Sequence, residues 1–140
     1  MEALQLTDHF NLTEFLRSDT ATQCGIENEP SVEAIINLQN LCAQVLEPLR
    51  KHYGHAITIT SGYRCPELNS RVGGVAHSQH LTGEAADLHL PSTRVGQEWM
   101  EWIRTHCEFD QLIYEKLKSG VRWIHVSCKR LLSKNRKQVI

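Results

Sequence analysis

Between Gly83 and Pro91 the chain reads Glu84-Ala85-Ala86-Asp87-Leu88-His89-Leu90. Apolar and polar residues alternate there, and in a strand successive side chains point to opposite faces. Ala86, Leu88 and Leu90 therefore share one face, and Ala85, Asp87 and His89 the other. The apolar face has to be covered, so packed helices belong on the Ala86 side and Asp87 is left pointing away from them. His80 stands seven residues before Asp87, in Ser78-Gln79-His80-Leu81-Thr82-Gly83, and Gly83 gives the chain freedom to turn between them. Neutral imidazole and carboxylate are both zinc ligands, and a catalytic site takes three protein ligands and leaves one position for water. This stretch supplies two of the three.

The chain has 140 residues, 41% hydrophobic and 22% charged, which suits one globular domain over 1–140 with a core spanning roughly 7–130. A formal net charge of -1 gives no reason to expect nucleic acid or an anionic membrane as partner. No apolar run has the length of a membrane span, so no integral membrane contact is expected. The basic run from Lys129 to Lys137 reads as a solvated end, with 131–140 frayed. The five cysteines are scattered and form no CxxC pair, so neither a zinc ribbon nor a redox motif is indicated. Cys65 and Cys128 fall near the candidate site, but a nucleophilic thiol needs an activating base that the pattern does not offer.

Taken in order, Phe10 to Arg17 predicts a short amphipathic helix, followed by a polar loop through Ser18-Asp19-Thr20 to Asn28. From Pro30-Ser31 apolar residues recur at three- and four-residue steps from Val32 to Leu49. This predicts a long helix reaching about Tyr53, stopped by Gly54, with a kink or early end at Pro48. Ala56–Thr60 reads as a strand, Pro66–Arg71 as a short helix, and Ser92 or Thr93 caps a helix carrying Val95, Trp99, Trp102, Ile103 and His106. The two tryptophans and His106 read as core and structural. Asp110–Glu115, a turn at Leu117–Gly120 and Arg122–Ser127 form a hairpin. The fold class is α+β: a small, mainly antiparallel sheet with both long helices on one face and the metal site on the other.

His125 alternates with apolar Ile124 and Val126 and offers a third ligand. In the same order along the chain stand SGYR at 61–64, SQHLTGEAAD at 78–87, and DQLIYE followed by WIHVS between 110 and 127. Together these resemble the zinc D-alanyl-D-alanine carboxypeptidase family. That family includes peptidoglycan-cleaving endolysins and shares its fold with the hedgehog amino-terminal signalling domain. The resemblance implies one catalytic zinc on His80, Asp87 and His125, with Glu115 as general base. It further implies that Arg64 binds the substrate near the scissile carbonyl and that Ser78 helps hold the substrate's carboxylate end.

Physical chemistry is consistent with those roles. Zinc lowers the pKa of a bound water to about 7, a carboxylate takes its proton, and a guanidinium that stays protonated faces the oxyanion. If Ile113 pairs with His125 and Glu115 with Trp123, then Glu115 and His125 lie diagonally on one face, roughly 7–8 Å apart at the backbone. A slip of one residue would send Glu115 to the opposite face and leave Asp110 as the fallback base. Two positions depart from the family pattern. Many members carry the acidic base three residues before the last histidine, where this chain has Arg122, and others a second histidine two residues before it, where it has Trp123. Arg64 is then expected to carry more of the oxyanion stabilisation, and Trp123 to wall the substrate cleft. His77 reads as an exposed loop residue and His89 as a candidate donor to a ligand.

The expected function is hydrolysis of amide bonds in peptidoglycan stem peptides containing D-amino acids, by a monomeric carboxypeptidase or endolysin-type endopeptidase. The alternative is a non-catalytic zinc-containing binding module on the same fold. The amino terminus lacks the basic start and apolar block of a secretory signal. That predicts synthesis in the cytoplasm, with action at the cell wall after delivery by a lysis or secretion system.

Overall fold

The computed structural model describes residues 4–140, and none of its helices is long and apolar enough to cross a membrane. A small ribbon of β1 (Gln5–Thr7) and β2 (Phe10–Asn11) precedes α1 (Thr13–Leu16). The helix predicted from Phe10 to Arg17 is thus shortened to α1, and Phe10 lies in a strand. The cause lies in the preceding turn. His9 is pinned to the buried carboxylate of Glu47, which accepts from the His9 N–H at 2.7 Å and lies 2.6 Å from its Nδ1. Phe10 and Phe15 still reach the core. The expected loop at Ser18-Asp19-Thr20 is instead α2 (Asp19–Cys24), capped by Ser18 Oγ on the Ala21 N–H and ended by Gly25 in the left-handed region.

The long helix forms as expected, but its middle is widened. α3 (Val32–Leu41) passes through a π-turn (Cys42–Leu46) into α4 (Glu47–Tyr53), where Gly54 ends it. Pro48 has no N–H and its ring crowds the carbonyl four residues back. The wider turn just before it, closed by the Glu47 N–H on the Cys42 carbonyl, gives that ring room without ending the helix.

The main sheet contains β3 (Ile59–Ser61), β4 (Ala85–His89), β5 (Gln111–Lys116), β6 (Arg122–Ser127) and β7 (Gln138–Val139), in the order β3-β4-β6-β5-β7. Every pairing is antiparallel except β5 with β7. Between β3 and β4 lie α5 (Pro66–Arg71) and a 3-10 turn at Gln79–Thr82; between β4 and β5 lies α6 (Thr93–His106), capped by Ser92. Ala86, Leu88, Ile124, Val126 and Leu112 are buried together with Leu38, Leu41, Leu46, Leu49, Trp99 and Ile103 of the helices. The α+β class and the covered Ala86 face are therefore as read from the sequence. Trp99 is core as expected, whereas Trp102 is half-buried and stacks between His52 and an exposed His106.

The end of the chain corrects the sequence reading. Past the 3-10 turn Leu132–Lys134, residues 138–139 join the sheet, with Gln138 opposite Gln111 and Val139 opposite Leu112. Arg136 anchors this segment on Asp110, whose side chain is 0% exposed. A basic run is solvated by default, but here it meets a buried carboxylate that needs a counter-ion.

Candidate metal centre and cleft

Three cross-strand partners set the geometry. Asp87 pairs with His125 across β4 and β6, and His125 pairs with Ile113 across β6 and β5. Glu115 pairs with Trp123, as the parity argument requires, so Glu115 and His125 share the face away from the helices. Trp123 stands between His89 and Glu115, two rungs along on the same face.

His80 comes from outside the sheet, on the 3-10 turn. Ser78 Oγ caps that turn by accepting the His80 N–H at 3.2 Å, and Gly83 ends it at a φ of +76°. α3 backs the turn closely: Asn37 donates to the Thr82 carbonyl at 2.8 Å, and a Cβ on Gly83 would stand 2.4 Å from the Ala34 carbonyl oxygen. His80 is 3% exposed, with Nδ1 2.6 Å from the carbonyl oxygen of Gly62. A carbonyl only accepts, so Nδ1 carries the proton and Nε2 keeps its lone pair. That lone pair faces Asp87, whose Oδ1 lies 3.3 Å from His80 Nε2 and 3.1 Å from His125 Nδ1.

One ligand atom from each of His80, Asp87 and His125 lies within 4.8 Å of the other two. Two donors held tetrahedrally about 2.0–2.1 Å from zinc would stand roughly 3.3–3.4 Å apart, close to the two separations just given. The donor set, two imidazoles and a carboxylate, is also one that zinc accepts. Burial pushes the Asp87 carboxyl up, but the adjoining His125 and His80 imidazoles more than offset it and hold the group well below the usual range. The carboxylate is thus kept ionised, as a ligand must be.

Arg64 and Ser78 stand together beside this centre. Arg64 Nη2 donates to Ser78 Oγ at 3.2 Å, while its Nε is buried without an acceptor among the described residues. Burial lowers the guanidinium's pKa and the Asp87 charge opposes that shift. Asn28 holds the backbone on either side, donating to the Tyr63 carbonyl and accepting the Cys65 N–H. Ser78 Oγ accepts from both Arg64 and His80, so its own hydrogen remains available to an incoming acceptor.

A cleft of about 350 Å³ opens over the centre, lined by Val75, His77, Ser78, Gln79, Gln111, Ile113, Glu115, His125 and Arg136. Glu115 and Ser78 line it; Trp123, expected to wall it, lies outside the lining. His77, expected at the surface, is exposed and also lines the cleft, and His89 is exposed. Asp110 is unsuited to be the fallback base. It accepts from the Arg136 backbone and guanidinium and from Gln79 Nε2, and although burial pushes it up these bonds pull its pKa down to about 2. Neither cysteine is an activated nucleophile: Cys128 is buried with its thiol pushed up, and Cys65 is only partly exposed. Sequence reasoning missed the Gly62 carbonyl, because a backbone atom leaves no mark on residue type.

The family comparison decides what this arrangement belongs to. The family described as Peptidase M15 matches residues 8–127, which takes in both histidines, Asp87, Arg64, Ser78 and Glu115. The chain belongs to the Peptidase M15 family. This bears out the resemblance read from the three motifs, and it supports a zinc-dependent metallopeptidase, a hydrolase, with a peptidoglycan-related substrate. No curated protein matches the chain. As an M15 peptidase it carries its metal-ligating residue types on β4, β6 and the 3-10 turn, all inside the matched stretch. Arg136 and β7 lie beyond it.

Proposed function

We propose that the protein hydrolyses amide bonds in D-amino-acid-containing stem peptides of peptidoglycan, as a carboxypeptidase or an endolysin-type endopeptidase. The observation that carries this reading is the convergence of His80, Asp87 and His125 on one point, with Glu115 on the same sheet face. Those three residues would hold the zinc. Zinc in that position supplies Lewis acidity and makes a water acidic enough, with a pKa of about 7, to attack near neutral pH.

The remaining work falls to the chain's own side chains. Glu115 takes the proton of the attacking water and delivers it to the leaving amine. The Arg64 guanidinium faces the oxygen on which negative charge develops, and burial strengthens that attraction. The Ser78 hydroxyl, held by Arg64, donates to the substrate's carboxylate end. We place this chemistry at the cell wall, reached through a lysis or secretion system, and performed by a monomer.

The test is incubation of muropeptides with the zinc-loaded protein, with products identified by mass spectrometry. Parallel reactions contain a chelator or the Glu115→Gln variant. Cleavage of a stem peptide that stops in both parallels is expected. Absence of any cleavage by the zinc-loaded protein would leave the binding-module alternative, and cleavage surviving both parallels would reject the mechanism.

A further inference from the structure

Arg136 closes one end of the cleft. Its backbone N–H donates to Asp110 Oδ1 at 2.8 Å, its Nε to the same oxygen at 3.1 Å, and its Nη2 to Oδ2 at 2.6 Å. Gln79 Nε2 donates to Oδ2 at 2.8 Å, and Lys129 Nζ stands 3.8 Å from Oδ1. The guanidinium is therefore immobilised, although its side chain is 52% exposed. It has five N–H groups in a rigid fork, and Asp110 engages the edge formed by Nε and Nη2. The other edge, formed by Nη1 and the second Nη2 hydrogen, meets no acceptor among the described residues. Asp110 is shared between two cations, Arg136 and Lys129, so its single negative charge does not offset both.

Position says what such an edge would meet. Gln111, Ile113 and Glu115 share one face of β5, and Ile113 stands opposite His125. At about 3.4 Å per residue, Glu115 and Gln111 lie roughly 7 Å to either side of the rung that carries His125. Glu115 takes one side. Arg136 lines the cleft with Gln111 and Gln79 on the other. A peptide whose amide sits at the metal and runs along β5 comes level with Arg136 after about two residues.

We propose that Arg136 is a specificity-determining residue whose free guanidinium edge binds a carboxylate of the peptide substrate, on the side of the metal opposite Glu115. The preferred substrate is then a stem peptide with that carboxylate free, not one in which it is amidated. This inference rests on the peptidase reading above. It concerns a residue outside the stretch that matches the family.

The experiment compares synthetic stem peptides that differ only in whether a given carboxylate is free or a carboxamide. Steady-state kinetics are measured on zinc-loaded wild type and Arg136→Met, and calorimetric affinities for the same peptides on the metal-free proteins. For one acid–amide pair, wild type should favour the acid by roughly ten- to hundredfold in KM and in affinity, the range of a hydrogen bond to a charged group. Arg136→Met should lose that preference by weakening for the acid alone. A merely structural role would weaken acid and amide equally. Should Arg136→Met not fold, the double variant Asp110→Asn with Arg136→Gln removes both charges together and is measured in the same way. Wild type that treats every acid and amide alike, or a preference that survives the substitution, overturns the proposal. If wild type cleaves neither peptide, the peptidase reading fails, and the affinities alone judge Arg136.

Discussion

His80 Nδ1 lies 2.6 Å from the carbonyl oxygen of Gly62, and that bond aims the opposite ring nitrogen at Asp87. Hydrogen bonds of this kind fix the tautomer and ring orientation of a metal-ligating histidine. Gly62 can occupy its place only without a side chain. A Cβ there would meet the Cα, Cβ and carbonyl oxygen of Phe15 at 2.7 Å, in a segment where the Tyr63 N–H already bonds the Phe15 carbonyl at 2.8 Å.

Gly62→Ala should therefore act on the metal site from a distance. The backbone must move away from Phe15, which carries the carbonyl off His80. Zinc affinity is expected to fall by about 10- to 100-fold, read by competition with a chromophoric chelator, while circular dichroism reports a folded protein. Affinity within twofold of wild type would show that the carbonyl does not orient the ring.

Glu115→Gln should separate chemistry from metal binding. The substitution keeps the shape and removes the proton acceptor. Loss of a positioned general base lowers turnover by about 10²- to 10⁴-fold. Zinc content should be unchanged, because Glu115 is not among the three converging donors. Turnover within a few-fold of wild type would sink the assignment of the base; metal loss would move Glu115 into the ligand set.

Asp110 should make part of the stability depend on acid. Its carboxyl is held at about 2 when folded, against an ordinary 3.8, through its bonds to Arg136 and Gln79. A depressed folded pKa contributes stability above the unfolded value, and that contribution is lost as pH falls from about 4 to 2. The amount is about 2 kcal/mol. Asp87 is held low in the same sense, so the informative quantity is the difference between wild type and Asp110→Asn, both metal-free. Urea denaturation should show a shallower loss in the variant over that range. Parallel curves would mean that the Asp110 pairing does not stabilise the fold.

The site was legible where side-chain parity decides geometry. Ala86 and Leu88 had to face the helices, which sent Asp87 to the other side, and the hairpin register then put Glu115 and His125 on that same side. Parts settled by partners distant in sequence were not legible. Glu47 pulls His9 into a turn from 38 residues away, and so shortens the first helix. The π-turn is a response to Pro48 that leaves the apolar spacing intact. Asp110 reads as a strand-end carboxylate, and Arg136 as one charge in a basic run; only the fold brings them into contact. Ser18 and Gly25 were readable caps, but the intervening residues of α2 lack a wide apolar stripe, since Ala21 is its one buried residue.

The tail provides the sharpest contrast between the two levels, and truncation tests it. Removing residues 136–140 deletes β7 and the Arg136 bonds to Asp110, together with the Gln138 N–H bond to the Asp110 carbonyl and the Ile140 N–H bond to the Leu112 carbonyl. A fraying end would be lost without cost. A buried carboxylate stripped of its main counter-ion costs about 3 kcal/mol, near the low end for broken buried pairs because Arg136 is itself half exposed and Gln79 and Lys129 remain. Urea denaturation of the truncated chain at neutral pH should show that loss. Adding Asp110→Asn to the truncation should recover part of it, since the uncompensated charge is then gone. A truncated chain within about 0.5 kcal/mol of wild type, the usual span of an inconsequential surface change, would return the tail to the solvated end that its composition suggests.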